Sequence, residues 1–321
     1  SGSGKTTLLM AIAGLNDPDS GEIWIDGELM TYTPSHQRGL GMVFQNYALF
    51  PHLTIYENIA FPLRMRKMRK AAIDEQVARV LNTVQLPDVQ ERFASELSGG
   101  QQQRIALARC FVYEPSIILM DEPLGALDKK LRDSLQREIK HLHDNLGITV
   151  IYVTHDQEEA MVMSDRICLM NEGRIEQIGS PADLYFQPNS IFAADFLGES
   201  NLFAGKVIGQ TETGTSIQRV DDTVVSGVCD AEVRNGETAH YMIRPENIRV
   251  HSGETNEDNL AQGKLKETIM MGQLTKYFLG LADGSEMVAT TLTGSGNDRL
   301  QLGDQVYFGW STRDARIMLS S

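Results

Sequence analysis

Leu97-Ser98-Gly99-Gly100-Gln101-Gln102-Gln103-Arg104 is the stretch that decides how this chain folds. A helix-capping serine is followed by two adjacent glycines and then by a run of helix formers. That order sets bare backbone N–H groups at the start of a helix, where the helix dipole favours an anion. A glycine pair alone would mean little, so the stretches on either side carry the reading.

Upstream stands Ser1-Gly2-Ser3-Gly4-Lys5-Thr6-Thr7, which fits the second half of the phosphate-loop pattern G-x-x-x-x-G-K-[ST]. Gly2 and Gly4 let the backbone curl around phosphates, with N–H groups and a helix dipole facing the anion. Lys5 supplies positive charge to the β- and γ-phosphates, and the Thr6 hydroxyl is a candidate Mg²⁺ ligand. Ser1, Ser3 and Thr7 complete the cradle. A serine/glycine linker is the plain alternative, but a helical pattern over residues 5–13, closed by Gly14, follows at once. The first glycine of the pattern would precede Ser1, so the chain reads as N-terminally incomplete.

Downstream, the apolar run over residues 116–120 predicts a strand covered on both faces, ending at Asp121 and Glu122. Asp121 is placed to hold Mg²⁺ and Glu122 to polarise an attacking water as a general base. Taken alone, an acidic pair at a strand end is usually a solvated turn. Residues 149–153 read as a second buried strand, leading to His155. Residues 41–44 read as a short strand leading to Gln45, whose amide can bridge Mg²⁺ and the attacking water. Leu131, Leu135, Ile139, Leu142 and Leu146 mark one apolar helix face, with Gly147 just past its end. Residues 54–93 read as mostly helical, residues 22–27 as a strand and turn, and Asn171-Glu172-Gly173 as the turn of a hairpin.

The chain has 321 residues, 41% of them hydrophobic, enough for more than one domain. Its 29 Lys and Arg against 43 Asp and Glu leave a net charge of −14, which argues against nucleic-acid or anionic-membrane binding. Cys110, Cys168 and Cys229 are widely spaced. Cys110 and Cys168 lie in apolar runs and read as buried, reduced thiols. No apolar run approaches the roughly 18–20 residues of a membrane span, so any membrane association is expected through a partner. After about Leu197 the texture changes to short β-type runs, among them 205–208, 239–244, 276–281, 286–290, 305–310 and 315–319. Their regular spacing suggests a small all-β barrel or sandwich.

Leu97–Gln101, Ser1–Thr7 and Ile117–Glu122 together resemble the ATP-binding cassette (ABC) ATPases, as do Gln45, Pro123-Leu124-Gly125-Ala126-Leu127-Asp128 and His155. The resemblance implies an α/β P-loop NTPase with a helical subdomain over 1–197, then an all-β, OB-like accessory (TOBE) domain over 198–321. Met242-Ile243-Arg244-Pro245-Glu246 matches an element of that accessory domain. ATP would be sandwiched between Ser1–Thr7 of one protomer and Ser98, Gly99, Gly100 and Gln101 of the other. Asp128 would couple the two sites, His155 would contact the γ-phosphate and support Glu122, and Gln45 would meet membrane subunits. Residues 43–54 look like the importer branch, and 272–319 look closest to its polyamine members. The implied assembly is a homodimer beneath two integral-membrane permease subunits, fed by a periplasmic or surface solute-binding protein. It would sit peripherally on the cytoplasmic face of the plasma membrane. Putrescine or spermidine is the expected cargo, with ferric iron, sugars, sulfate, glycerol phosphate and phosphonates open. Two weaker alternatives are a cassette ATPase acting on DNA or ribosomes and a non-catalytic regulatory module.

Overall fold

The computed structural model describes residues 2–44, 47–125, 129–211, 214–294 and 300–319. Ser1, Gln45 and Asp128 lie outside the described residues, as do the side chains of Leu131, Leu142 and Leu146. The chain divides into two compact units, Ser1–Asp165 with Met170–Ile175, and Arg166–Leu169 with Glu176–Ser321.

The first unit opens with α1 (Lys5–Ala13), then a small hairpin of β1 (Trp24–Ile25) and β2 (Glu28–Leu29). The strand and turn expected over 22–27 are β1 and the positive-φ pair Asp26 and Gly27, which turns the chain into β2. Next come β3 (Gly41–Val43), α2 (Ile55–Met65), α3 (Lys70–Thr83) and α4 (Gly99–Phe111). The unit continues with β4 (Ile117–Asp121), α5 (Lys129–Leu146), β5 (Thr149–Val153) and α6 (Gln157–Met163). Strands β3, β4 and β5 form a parallel sheet in that order, with Val43 beside Met120 and Asp121 beside Val153. Parallel strands need crossovers, and α2–α4 and α5 supply them. This is the expected α/β layering. Ile118, Leu119 and Met120 are wholly buried, as a doubly covered strand requires. Thr54 starts α2 with a reciprocal capping box: its hydroxyl accepts from Glu57 N–H, and the Glu57 carboxylate accepts from Thr54 N–H. Ile55, Ile59 and Leu63 of α2 then pack with Val77 and Leu81 of α3 and Ile105 and Leu107 of α4 in one core.

A hairpin of β6 (Ile167–Asn171) and β7 (Arg174–Gly179) turns at Glu172 and Gly173, both at positive φ. Cys168 lies on the outward face of β6 and is exposed, contrary to the buried reading. The strand alternates, so an apolar run does not bury every member. Cys110 is buried as expected.

The second unit carries α7 (Pro181–Phe186) and α8 (Ile191–Phe196), then ten strands. They are β8 (Asn201–Thr211), β9 (Gly214–Gln218), β10 (Val224–Gly227), β11 (Thr238–Ile243) and β12 (Arg249–His251). The rest are β13 (Asn259–Met270), β14 (Leu274–Gly280), β15 (Glu286–Leu292), β16 (Gln305–Trp310) and β17 (Ala315–Leu319). Two five-stranded sheets result, ordered β10-β9-β8-β11-β17 and β12-β16-β13-β14-β15. One core draws on both: Tyr241 and Ile243 from the first, Leu279, Met287, Phe308 and Trp310 from the second. The Trp310 indole N–H donates to the Tyr241 hydroxyl inside it. Arg244, also buried, ties the helices to the strands. Its guanidinium donates to the carbonyls of Ala194 (2.9 Å), Gly198 (3.0 Å) and Tyr185 (3.0 Å) and to Ser200 Oγ (2.6 Å). It also stacks on the Tyr185 ring at 4.1 Å.

Candidate functional site

Gly2 and Gly4 adopt φ of 86° and 87°, so the loop before α1 uses the left-handed region that glycine enters without a Cβ clash. Gly4 is the N-cap of α1 and offers no side chain to cap it. The first N–H groups of α1 therefore have no internal acceptor, which makes the helix start a cradle for an anion. Lys5 Nζ donates to Ser3 Oγ at 2.9 Å and so folds back over the loop. Thr6, on the first turn, donates its hydroxyl to Asp121 Oδ1 at 3.0 Å. Two oxygens suited to a hard cation thus converge beside the cradle.

Strand β4 delivers Asp121, and the chain then bends at Glu122, whose φ of 45° is unusual for a residue with a side chain. The bend is held by Glu122 N–H donating to the Val153 carbonyl of β5 at 3.0 Å. It aims the Glu122 carboxylate at the turn after β5, where His155 Nδ1 lies 3.2 Å from Glu122 Oε2. The imidazole is largely exposed and the carboxylate half-buried. The structure thus gathers Gly2, Ser3, Gly4, Lys5, Thr6, Asp121, Glu122 and His155 along the carboxyl ends of β4 and β5, with Thr7 on the same helical turn as Thr6. Ligands bind at that edge of parallel α/β sheets.

Ser98, Gly99, Gly100 and Gln101 form a separate cluster. Ser98 caps α4, its Oγ accepting from Gln101 N–H, while Gln101 Oε1 accepts from Ser98 N–H at 3.0 Å. The first-turn N–H groups of Gly99 and Gly100 remain without an intrahelical acceptor. Among the described residues no hydrogen bond or ion pair joins this cluster to residues 2–7.

Sequence patterns do not single out the arginines that hold these pieces. Arg109 of α4 reaches back to the carbonyls of Tyr47 (3.0 Å) and Ala48 (2.7 Å), the positive-φ pair two and three residues after Gln45. Burial lowers its pKa from the ordinary arginine value. Arg38 closes the far end of α1, donating to the Ala11 and Ile12 carbonyls at 2.8 and 2.7 Å, a cation at a helix C-terminus. Both partnerships bridge more than twenty residues of chain, and no local spacing announces them.

Comparison with known proteins shows the family. The model of the family described as "ABC transporter" matches residues 1–125, and that described as "TOBE domain" matches residues 241–318. The spermidine/putrescine import ATP-binding protein PotA of Thermotoga maritima is 40% identical over 324 residues, spanning 99% of this chain and 88% of that protein. PotA of Bacillus cereus is 42% identical, spanning 98% and 87%. PotA of Trichodesmium erythraeum is 44% identical, spanning 90% and 77%. Among solved structures, cbiO1 from Clostridium perfringens, part of the ABC transporter complex cbiONQ, matches with a TM-score of 0.54 and 28% identity. That match covers 57% of this chain and 75% of cbiO1. No helix among the described residues is long and apolar enough to cross a membrane.

Proposed function

This chain belongs to the ABC transporter ATPases of the spermidine/putrescine import branch: it binds ATP and couples its hydrolysis to polyamine import, and we propose how its own residues do so. The N–H groups of the loop through Gly4 and the Lys5 ammonium hold the β- and γ-phosphates. Thr6 and Asp121, with Gln45, are the residues that would hold Mg²⁺, which supplies neutralisation of phosphate charge when bound. Glu122 takes a proton from the attacking water, and His155 keeps the Glu122 carboxylate in place through its 3.2 Å contact. Water oxygen bonds to the γ-phosphorus, the β–γ bridging bond breaks, and ADP and inorganic phosphate leave.

The observation that most supports this assignment is the pairing at one sheet edge of Thr6 with Asp121 and of Glu122 with His155. Ser98, Gly99, Gly100 and Gln101 then act on the nucleotide of a second copy, with Asp128 linking the two sites. The expected assembly is that homodimer bound to two membrane-embedded permease subunits and served by a solute-binding protein. It would lie peripherally on the cytoplasmic face of the plasma membrane. The functional boundary between the ATPase and the TOBE-containing portion is proposed near residue 197. In this arrangement the cargo is selected outside the chain.

Glu122→Gln tests the assignment. Phosphate release should fall by about 100-fold or more, while ATP still binds and drives dimers seen by sedimentation. Wild-type turnover in that variant would remove Glu122 from the role of base.

A further inference from the structure

Glu159 is a carboxylate that the reaction outlined above does not use, yet it is buried. A buried charge persists only when it is paired and hydrogen-bonded. Here the partners surround the turn that carries His155. Tyr152 of β5 donates its hydroxyl to Glu159 Oε2 at 2.9 Å, and Thr154 Oγ1 donates to the same oxygen at 2.7 Å. The other oxygen lies 3.7 Å from Arg132 Nε. Burial, reinforced by the Glu159 charge, drives the Tyr152 hydroxyl far above its ordinary pKa, so it stays a donor.

The residues on both sides of His155 are fixed by this cluster. Thr154 Oγ1, while donating to Glu159, accepts from Asp156 N–H at 2.9 Å. Asp156 Oδ1 accepts from Glu158 N–H at 2.8 Å and from Glu159 N–H at 3.3 Å, and Asp156 Oδ2 takes Arg132 Nη1 at 3.0 Å. His155 itself is exposed and has its contact with Glu122. Its backbone direction is therefore set by neighbours whose side chains all lead to Glu159 and Arg132.

We propose that Glu159 is a positioning residue of the hydrolytic site, which holds the turn at 154–156 so that His155 faces Glu122. Arg132 extends the same constraint to α5, which begins one residue after Asp128. A displacement at the start of α5 is thereby passed to the His155 turn through one guanidinium. The proposal rests on His155 acting at the site where Glu122 is the base.

The experiment compares Glu159→Gln with His155→Gln in the full chain. Steady-state ATPase kinetics are measured together with the imidazole ¹⁵N–¹H spectrum, in which His155 is assigned by the signal missing from His155→Gln. Glutamine keeps the shape of Glu159 and loses the charge facing Arg132. The expected result is a kcat about tenfold lower with KM for MgATP within about twofold, and a shifted Nδ1 signal of His155. Tyr152→Phe, which removes a single donor, should shift the same signal and lower kcat by about threefold, and it decides the matter if Glu159→Gln does not fold. If His155→Gln turns over at the wild-type rate, the role given to His155 fails. If His155→Gln is impaired while the foldable Glu159 or Tyr152 variant keeps kcat and an unchanged His155 signal, the positioning role fails alone. A fall in kcat that only tracks the folded fraction, with that signal unchanged, overturns it equally.

Discussion

In the first unit the polar groups of interest meet at a solvent-facing sheet edge: Lys5 beside Ser3, Thr6 beside Asp121, His155 beside Glu122. In the second unit the notable charges are turned inward. Arg244 is surrounded by four carbonyls, a serine hydroxyl and a tyrosine ring. Arg219 is held by Asp283 at 2.8 Å and Ser285 at 3.1 Å, with its guanidinium 4.1 Å from the centre of the Phe203 ring. The same chemical types do different work. Where donors are held by the protein's own buried acceptors they fix geometry. Where they converge but stay open to solvent, they can exchange protein partners for a ligand.

The comparison breaks most visibly if Arg244 proves dispensable. Arg244→Ala leaves several carbonyls without their donor and should lower the stability of the second unit by about 3 kcal/mol. Trp310 is buried in that unit's core and Trp24 is exposed in the first, so denaturant unfolding followed by tryptophan fluorescence reports mainly the second unit. A loss below about 1 kcal/mol would mean that water replaces the guanidinium and that this arginine is not structural. The hydrolytic residues predict the opposite pattern, with activity lost and stability kept.

Gly14→Ala sharpens the contrast within the first unit, where Arg38 is used in the manner of Arg244, donating to four carbonyls. Gly14 adopts φ of 73°, and an added Cβ would sit 2.6 Å from Arg38 Nε. The backbone strain and the displaced guanidinium together should cost about 2 kcal/mol of thermal stability. A melting temperature unchanged from wild type would show that the Arg38 clamp yields freely.

These two arginines also mark where the sequence stops being legible. Local signals were sufficient for α1 with its closing Gly14, for β4 and β5, for Ser98 as a cap, and for β16 and β17 to the residue. Each rests on periodicity or capping within a few positions. Among the described residues the longest strand is β13, and no local signal announces it. Its inward positions are Asn259, Ala261, Gly263 and Leu265, so small and polar residues hide the alternation. The phosphate loop and the pairs at 121–122 and 155 were readable as types. That Glu122 meets His155, or that Thr154 and Tyr152 meet Glu159, depends on the parallel register of β4 with β5 and on the turn into α6. Arg109 and Arg244 find partners 44 to 62 residues away, and spacing carries no trace of such pairs.

The smallest effect concerns a group in the first unit that is neither open to solvent nor charged. Cys110 donates its thiol to the Met42 carbonyl at 3.1 Å, and burial pushes its pKa up to about 11 from an ordinary 9.0. The folded state therefore binds the proton more tightly than the unfolded chain. This contribution to stability is complete below pH 9 and is lost as pH rises toward 11, because only the unfolded thiol ionises in that window. By pH 10 the loss should be about 1 kcal/mol. Cys110→Ala removes the titrating group, so its stability should fall less between pH 8 and pH 10 than that of the wild type. A residual slope remains from Tyr113, whose pKa is also driven upward by burial. Equal slopes in urea unfolding at the two pH values would show that the thiol is solvated in the folded state, and that the α4–β3 packing beside it is looser than its burial implies.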